Sequence, residues 1–232
     1  MNETTNTTEP QIAYSECYVQ PFFSFYNADN MAIMRTFKDK EFDLAIVDPP
    51  YGIGAGGKTY GKRRKKHDIK DWDNETPTDE YFAELFRISK KQIIWGGNYF
   101  DLPLTNGWVV WDKDRGKETT FSDGELAWTS FLNLLKILKV KYDGFLGMDK
   151  DGRIHPTQKP VQLYERIVNN YANENDKIID THLGSGSIAI AIDKANTLDK
   201  KNLTFVGIEL DPDYFRAAVE RFKNYKRQCV LF

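Results

Sequence analysis

The chain has little cysteine: two residues, Cys17 and Cys229, near opposite ends of 232. Two thiols so placed make neither a disulfide framework nor the paired spacing of a metal site, and a reducing cytoplasm is the simplest setting. Long hydrophobic runs are also missing. Nothing approaches the roughly 20 apolar residues of a membrane span, and the opening MNETTNTTEP lacks the apolar stretch of a signal peptide. It reads as a disordered polar tail over residues 1–12. There is no excess of positive charge either. The formal net charge is −2, so any nucleic-acid binding must rest on a local patch. What is present suits one globular domain over residues 13–232: 41% hydrophobic residues supply a core that needs no metal or disulfide.

EFDLAIVDPPYGIG, Glu41 to Gly54, is the most informative short stretch. Phe42 to Val47 has the β-branched, apolar pattern of a strand buried on both faces. Pro49 and Pro50 stop it, since neither has a backbone N–H, and Asp48 is pushed to an extended conformation by the proline after it. A carboxylate, a ring and free carbonyls therefore stand at the carboxyl end of a central strand, where open α/β sheets bind ligands.

Along the chain, YVQPFFSFYNADN reads as a strand ending near Tyr26, and MAIMRTF as a short helix. After the FDLAIV strand comes a long glycine- and lysine-rich loop over residues 52–76, of the length that is functional or disordered in compact domains. TDEYFAELFRISKK has helical periodicity, and QIIWGG, GWVVWDK and ELAWTSF read as short aromatic strands. A less regular piece runs to about Arg153. The helix PVQLYERIVNNYA opens with proline near its first turn. KIID, SIAIAIDKAN, LTFVGIEL and DPDYFRAAVERFKNY then alternate strand and helix to the end. This alternation predicts an α/β fold with a mostly parallel sheet and helices on both faces.

DTHLGSGSIA, Asp180 to Ala189, follows a strand and opens a helix. Gly184, Gly186 and Ala189 fit the G-x-G-x-x-G/A spacing, and Glu209 ends the next strand, placed to hold ribose hydroxyls. Only one strand and one helix follow Glu209, so the remaining strands must come from earlier sequence. The expectation is a circularly permuted, Rossmann-like sheet whose crevice also receives Asp29 and Asp48. That favours a nucleotide smaller than NAD facing a second substrate, although an NAD-linked oxidoreductase also accounts for the glycines.

DPPY, HPTQKP (His155 to Pro160), DTHLGSGS and GIELDPDYF occur in an order that resembles the beta class of DNA amino-methyltransferases, over about Phe22 to Arg221. QIIWGGNYF and ELAWTSF are similar to segments of small phage and prophage-type DNA methylases. The resemblance implies S-adenosylmethionine as cofactor, double-stranded DNA as substrate and a bacterial or phage origin, and it suggests a homodimer and a restriction–modification setting. It also implies residue roles. Asp180, His182, Gly184, Ser185, Gly186 and Ser187 would wrap the methionine part of the cofactor. Glu209 would take its ribose and Asp29 its adenine. Thr157, Gln158 and Lys159 would line the methionine end, with Lys159 on the carboxylate, and Asp48 would lie beside the methyl group. Thr181, His182 and Ser187 depart from the commoner DPFxGSGTT, and His182 reads equally as a cofactor contact or a packed ring.

DPPY carries the chemistry. An exocyclic amine of a base is a poor nucleophile because its lone pair is delocalised into the ring. Asp48 and the Pro49 carbonyl are acceptors for its N–H bonds, Pro50 fixes the turn, and Tyr51 offers a face to a base taken out of the duplex. In the family an acid at the first position goes mostly with adenine N6, and serine with cytosine N4. Adenine is therefore expected, with cytosine N4 and a catalytically silent DNA-binding protein as alternatives. KTYGKRRKKH, holding Lys58, Lys62, Arg63, Arg64, Lys65 and Lys66, suits phosphate contact or a merely solvated loop. Sequence choice should fall to a target-recognition segment over about 113–152, where Arg115 and Lys117, with Arg153 just beyond, are candidate DNA contacts. Trp95, Trp108, Trp111 and Trp128 read as core and cleft walls.

Overall fold

The computed structural model describes residues 14–54, 73, 75–115, 122–142, 154–155 and 157–229. The expected tail, the basic run from Lys58 to Lys66, Lys117 and Arg153 lie outside them. The described strands form one nine-stranded sheet in the order β1-β2-β9-β8-β3-β4-β6-β5-β7. They are β1 (Glu16–Gln20), β2 (Phe23–Asn27), β3 (Phe42–Val47), β4 (Ser89–Trp95), β5 (Trp108–Asp112), β6 (Gly124–Thr129), β7 (Lys136–Lys139), β8 (Lys177–Asp180) and β9 (Thr204–Glu209). The helices are α1 (Asn30–Met34), α2 (Asp79–Ile88), α3 (Val161–Tyr171), α4 (Ser187–Leu198) and α5 (Pro212–Cys229).

Strands β2, β9, β8, β3 and β4 run parallel, while β1 and β6 pair antiparallel with their neighbours. The central strands are apolar on both faces, and alternate residues feed two cores. Leu44, Ile46, Ile93, Trp95 and Ile178 pack under α3, α4 and α5. Ala45, Val47, Ile94 and Ile179 pack against α1 and α2. Helices cover both faces, as the alternation of strand and helix predicts.

The permutation decides where the site lies. Early β3 sits beside late β8, with Ala45 opposite Ile179. From β3 the chain proceeds through α2 to β4 on one side, and from β8 through α4 to β9 on the other. The direction of winding reverses between β3 and β8, which opens a crevice at their carboxyl ends.

Three local expectations differ. The first strand is a hairpin, because Pro21 has no N–H to donate and Phe22 turns at φ 72°, which splits the run into β1 and β2. Helix α2 stops at Ile88, and Ser89 to Lys91 open β4 rather than extending the helix. Within the piece read as irregular, Lys136–Lys139 form an edge strand parallel to β5.

Candidate active site

The carboxyl ends of β2, β9, β8 and β3 border a cavity of about 880 Å³, a size typical of small-molecule sites. Asp29, Asp48, Pro49, Pro50, Tyr51, Thr157, Gln158, Lys159, His182, Gly184, Ser185, Ser187, Glu209 and Arg115 all line it. Residues from positions 29 to 209 thus line one cavity. Asp180 and Gly186 do not line it. Asp180 is 1% exposed and accepts the His182 N–H at 2.9 Å, so it holds the loop from beneath. Gly186 caps α4 in the left-handed conformation at φ 69°, which glycine adopts without strain.

At one end of the cavity, Glu209 closes β9 opposite Asn27. Its carboxylate accepts the Gly184 N–H at 2.8 Å and the Asp211 N–H at 2.9 Å. Burial pushes it up to about 7, against these backbone donors. Asp29 caps α1, one carboxylate oxygen accepting the Ala32 N–H at 2.9 Å. The hydroxyls of Ser185 and Ser187 lie 3.0 Å apart, and the buried Arg221 of α5 donates to Ser187 Oγ and to the Ser185 carbonyl, each at 2.9 Å. The glycine loop is therefore braced from α5, a partner that no spacing within the loop announces. His182 meets Asn30 at 3.1 Å and Thr181 at 3.0 Å through its two ring nitrogens, and Tyr81 bonds Thr181 at 2.7 Å. Burial pushes the imidazole down to about 3, so it is neutral. The ring is packed, and it also lines the cavity.

At the other end, Asp48 stands just beyond β3. Tyr51 donates its hydroxyl to Asp48 Oδ1 at 2.7 Å, and Lys159 pairs with Oδ2. Lys159 also reaches Glu125 Oε2 at 3.1 Å, and Lys113 holds Glu125 Oε1 at 2.7 Å. Burial raises Asp48, with Lys159 opposing it. Burial works against the Lys159 ammonium, yet Asp48 and Glu125 outweigh it and raise the group. Glu125 ends below its ordinary range because two lysines overcome its burial. The resemblance assigned Lys159 to a cofactor carboxylate. Its ammonium pairs with Asp48 and Glu125 and also lines the cavity.

Tyr51 is held on three sides. Asp73 accepts its N–H at 2.7 Å, Tyr99 stacks on its ring at 5.0 Å between centroids, and Gly96 backs the ring with no side chain. Arg115 lines the cavity and donates Nε to the Tyr142 carbonyl at 3.0 Å. Trp95, Trp111 and Trp128 are buried, as core and wall residues should be. Glu125, Lys113, Asp73 and Arg221 lie outside the motifs that point to the site in the sequence. A signal for the first two existed: Glu125 shares a face of β6 with buried Ala127, and Lys113 follows Trp111 by two. Charges in a core-facing row require partners.

A permuted α/β sheet with a nucleotide-type crevice joined to a DPPY turn defines a methyltransferase-type architecture. The family model N6_N4_Mtase, described as DNA methylase, matches residues 94–220, more than half of the chain. The chain belongs to this DNA methylase family, a family of S-adenosylmethionine-dependent enzymes acting on N6 or N4 amines. The matched span includes HPTQKP and the glycine loop and begins after DPPY. Type II methyltransferase M.HpaI of Haemophilus parainfluenzae is 24% identical, covering 82% of this chain and 71% of that protein. Type II methyltransferase M2.DpnII of Streptococcus pneumoniae is also 24% identical, over 85% and 88% of the two chains. Among solved structures, the M1.HpyAVI–SAM complex aligns with TM-score 0.57 at 20% identity, over 86% of this chain and 99% of that one. The cytosine-N4-specific PvuII DNA methyltransferase aligns at 0.58 and 13%, over 90% of each. These two share the fold.

Proposed function

We propose that the chain methylates N6 of adenine in double-stranded DNA, on a base turned out of the helix, with S-adenosylmethionine as donor. The carrying observation is that Asp48, at the end of β3, opens onto the same cavity as Glu209, at the end of β9.

The residues fit the donor. Glu209 is an acceptor for ribose hydroxyls. Asp29 has a carboxylate oxygen beyond the one that caps α1, available to an adenine amino group. The glycine loop allows close backbone approach, and Thr157 and Gln158 extend the wall. The donor supplies a methyl carbon on a positively charged sulfur. Asp48 and the Pro49 carbonyl accept the two N–H bonds of the target amine and turn its lone pair toward that carbon. Holding the two reactants in line supplies much of the rate. The Asp48 carboxylate also opposes the positive charge that grows on nitrogen. Pro49 and Pro50 hold the carboxylate beyond the strand, and Tyr51 gives the base an aromatic wall.

The acid in DPPY is what favours adenine over cytosine. The fold does not distinguish them, since the PvuII enzyme shares it. A bacterial or phage setting in a reducing cytoplasm, and a homodimer, complete the reading; sedimentation of the purified chain tests the last.

The test is incubation with S-adenosylmethionine and DNA from a methylation-free host, followed by nucleoside mass spectrometry. N6-methyladenine is expected. N4-methylcytosine alone would overturn the choice of base, and the absence of both products would overturn the reading. Asp48→Ala should bind the donor normally yet lose activity roughly a hundred-fold or more; full activity would remove Asp48 from the chemistry.

A further inference from the structure

Methyl transfer by the route above needs Asp48 as a carboxylate, yet the fold takes that carboxylate out of water. Its side chain is 16% exposed, and burial pushes the group up. Several titratable groups face it. Tyr51 donates its hydroxyl to Oδ1 at 2.7 Å but stays neutral, and so does Tyr164 of α3. Asp180 of β8 and Glu125 of β6 are acids. Lys159 supplies the opposing charge, its ammonium paired with Oδ2. This pairing leaves the carboxylate usable, because each oxygen has two lone pairs. Asp73 Oδ1 shows the same capacity, accepting the Tyr51 N–H at 2.7 Å and the Gly52 N–H at 3.0 Å. A target amine therefore has room on Asp48 with Lys159 and Tyr51 still in place.

Lys159 is itself held. Its side chain is 3% exposed, and the ammonium lies 5.1 Å from the centre of the Trp95 ring. Glu125 Oε2 accepts from the same nitrogen at 3.1 Å, and Lys113 pairs with Glu125 Oε1 at 2.7 Å. Charges thus alternate from Asp48 through Lys159 and Glu125 to Lys113, and the four together are neutral. We propose that Lys159 is a positioning residue for methyl transfer, holding Asp48 ionised and aimed, and that it serves the target amine rather than the donor's carboxylate. The inference rests on the methyl-transfer reading above. Glu125 acts on Asp48 with the opposite sign, since it places a second negative charge nearby and shares the ammonium. Two members of one cluster should therefore move Asp48 in opposite directions.

The Asp48 carboxyl is titrated by NMR of carbon-labelled aspartate, assigned with Asp48→Asn, and methyl transfer at saturating S-adenosylmethionine is followed over the same pH range. Lys159→Met keeps the stem beside Trp95 and removes the charge. Its Asp48 midpoint should rise by about one pH unit or more. The acid limb of methyl transfer should rise with it, so that activity falls about ten-fold or more at neutral pH and recovers toward alkaline pH. Glu125→Gln should move the midpoint and the limb the other way, and it carries the test by itself should Lys159→Met fail to fold. Midpoints that stay at the wild-type value in both variants overturn the proposal. So does a loss of activity in Lys159→Met that is equal at every pH, as a merely structural cluster predicts. A raised KM for S-adenosylmethionine with an unmoved limb also overturns it and gives the lysine to the donor. Methyl transfer by the wild-type chain is measured alongside. Transfer to neither amine, with midpoints that shift as expected, sinks the functional reading and takes the inference with it. Normal wild-type transfer with unmoved midpoints sinks the inference alone.

Discussion

Glu209 and Asp180 end adjacent parallel strands, and burial pushes them up to about 7 and about 8. Near pH 6 both are protonated in the ligand-free fold, whereas the unfolded chain ionises them at ordinary carboxylate values. The folded state therefore holds more protons through this window. Its extra stability is present at acid pH and is lost as the pH rises through 7 to 8. Ribose hydroxyls donate to the ionised form of Glu209, so binding S-adenosylmethionine near pH 6.5 should release protons. Calorimetry in two buffers of different ionisation enthalpy measures the release, and Glu209→Gln should lose most of it. Equal release from the variant would assign the proton to another group. Both acids were legible in the sequence as strand-end carboxylates beside a glycine loop. Their division of labour was not, because whether a carboxylate faces the cavity or the loop backbone depends on how the loop folds over it. Glu125 shows the same limit more sharply. Its core-facing row was visible in β6, but its partner Lys159 lies 34 positions away and is brought there only by the packing of α3 against the sheet.

Between β4 and β5 the chain turns through Gly96, left-handed at φ 67° and directly behind the Tyr51 ring. A Cβ there would come within 2.2 Å of Tyr51 Cε1. Gly96→Ala carries about 1–2 kcal/mol of backbone strain, and it must also displace the tyrosine that donates to Asp48. A lowered Tm together with a larger proportional loss of methyl transfer is expected. Loss of Tm alone would mean that the ring position is unimportant. At this scale the order of strand and helix read well, because β3, β4, β8 and β9 have buried apolar runs that local pattern reveals. The failures lie where tertiary pairing outvotes local pattern. Lys136–Lys139 is an exposed, lysine-flanked edge, and only its pairing with β5 makes it a strand. Ser89 to Lys91 continue a helical periodicity, yet the Ser89 side chain bonds back to the Leu85 carbonyl at 2.5 Å while its backbone enters β4.

At the scale of the whole molecule, a net charge of −2 must be reconciled with a polyanionic substrate. A local basic patch would reconcile them. The segment carrying Lys58, Lys62, Arg63, Arg64, Lys65 and Lys66 departs from the described fold at Gly54 and rejoins it at Asp73. These two residues are tied by the Gly54 N–H to the Asp73 carbonyl at 3.0 Å, and Asp73 in turn holds Tyr51. The two described residues that flank the run in sequence, Gly54 and Asp73, thus stand beside the DPPY turn. Each phosphate neutralised releases counterions, so binding through this run must weaken steeply with salt. Changing Lys62, Arg63, Arg64, Lys65 and Lys66 together to glutamine should weaken DNA binding alike for every sequence. It should also flatten the plot of log K against log salt by up to about 4.5. S-adenosylmethionine affinity should not move, because the donor's candidate contacts are other residues, Asp29, Glu209 and the glycine loop. An unchanged salt slope would leave the run a solvated loop and move the phosphate contacts toward Arg115 and the recognition segment. Substituting Arg115 alone, whose Nε is already spent on the Tyr142 carbonyl, should change the slope by no more than about one.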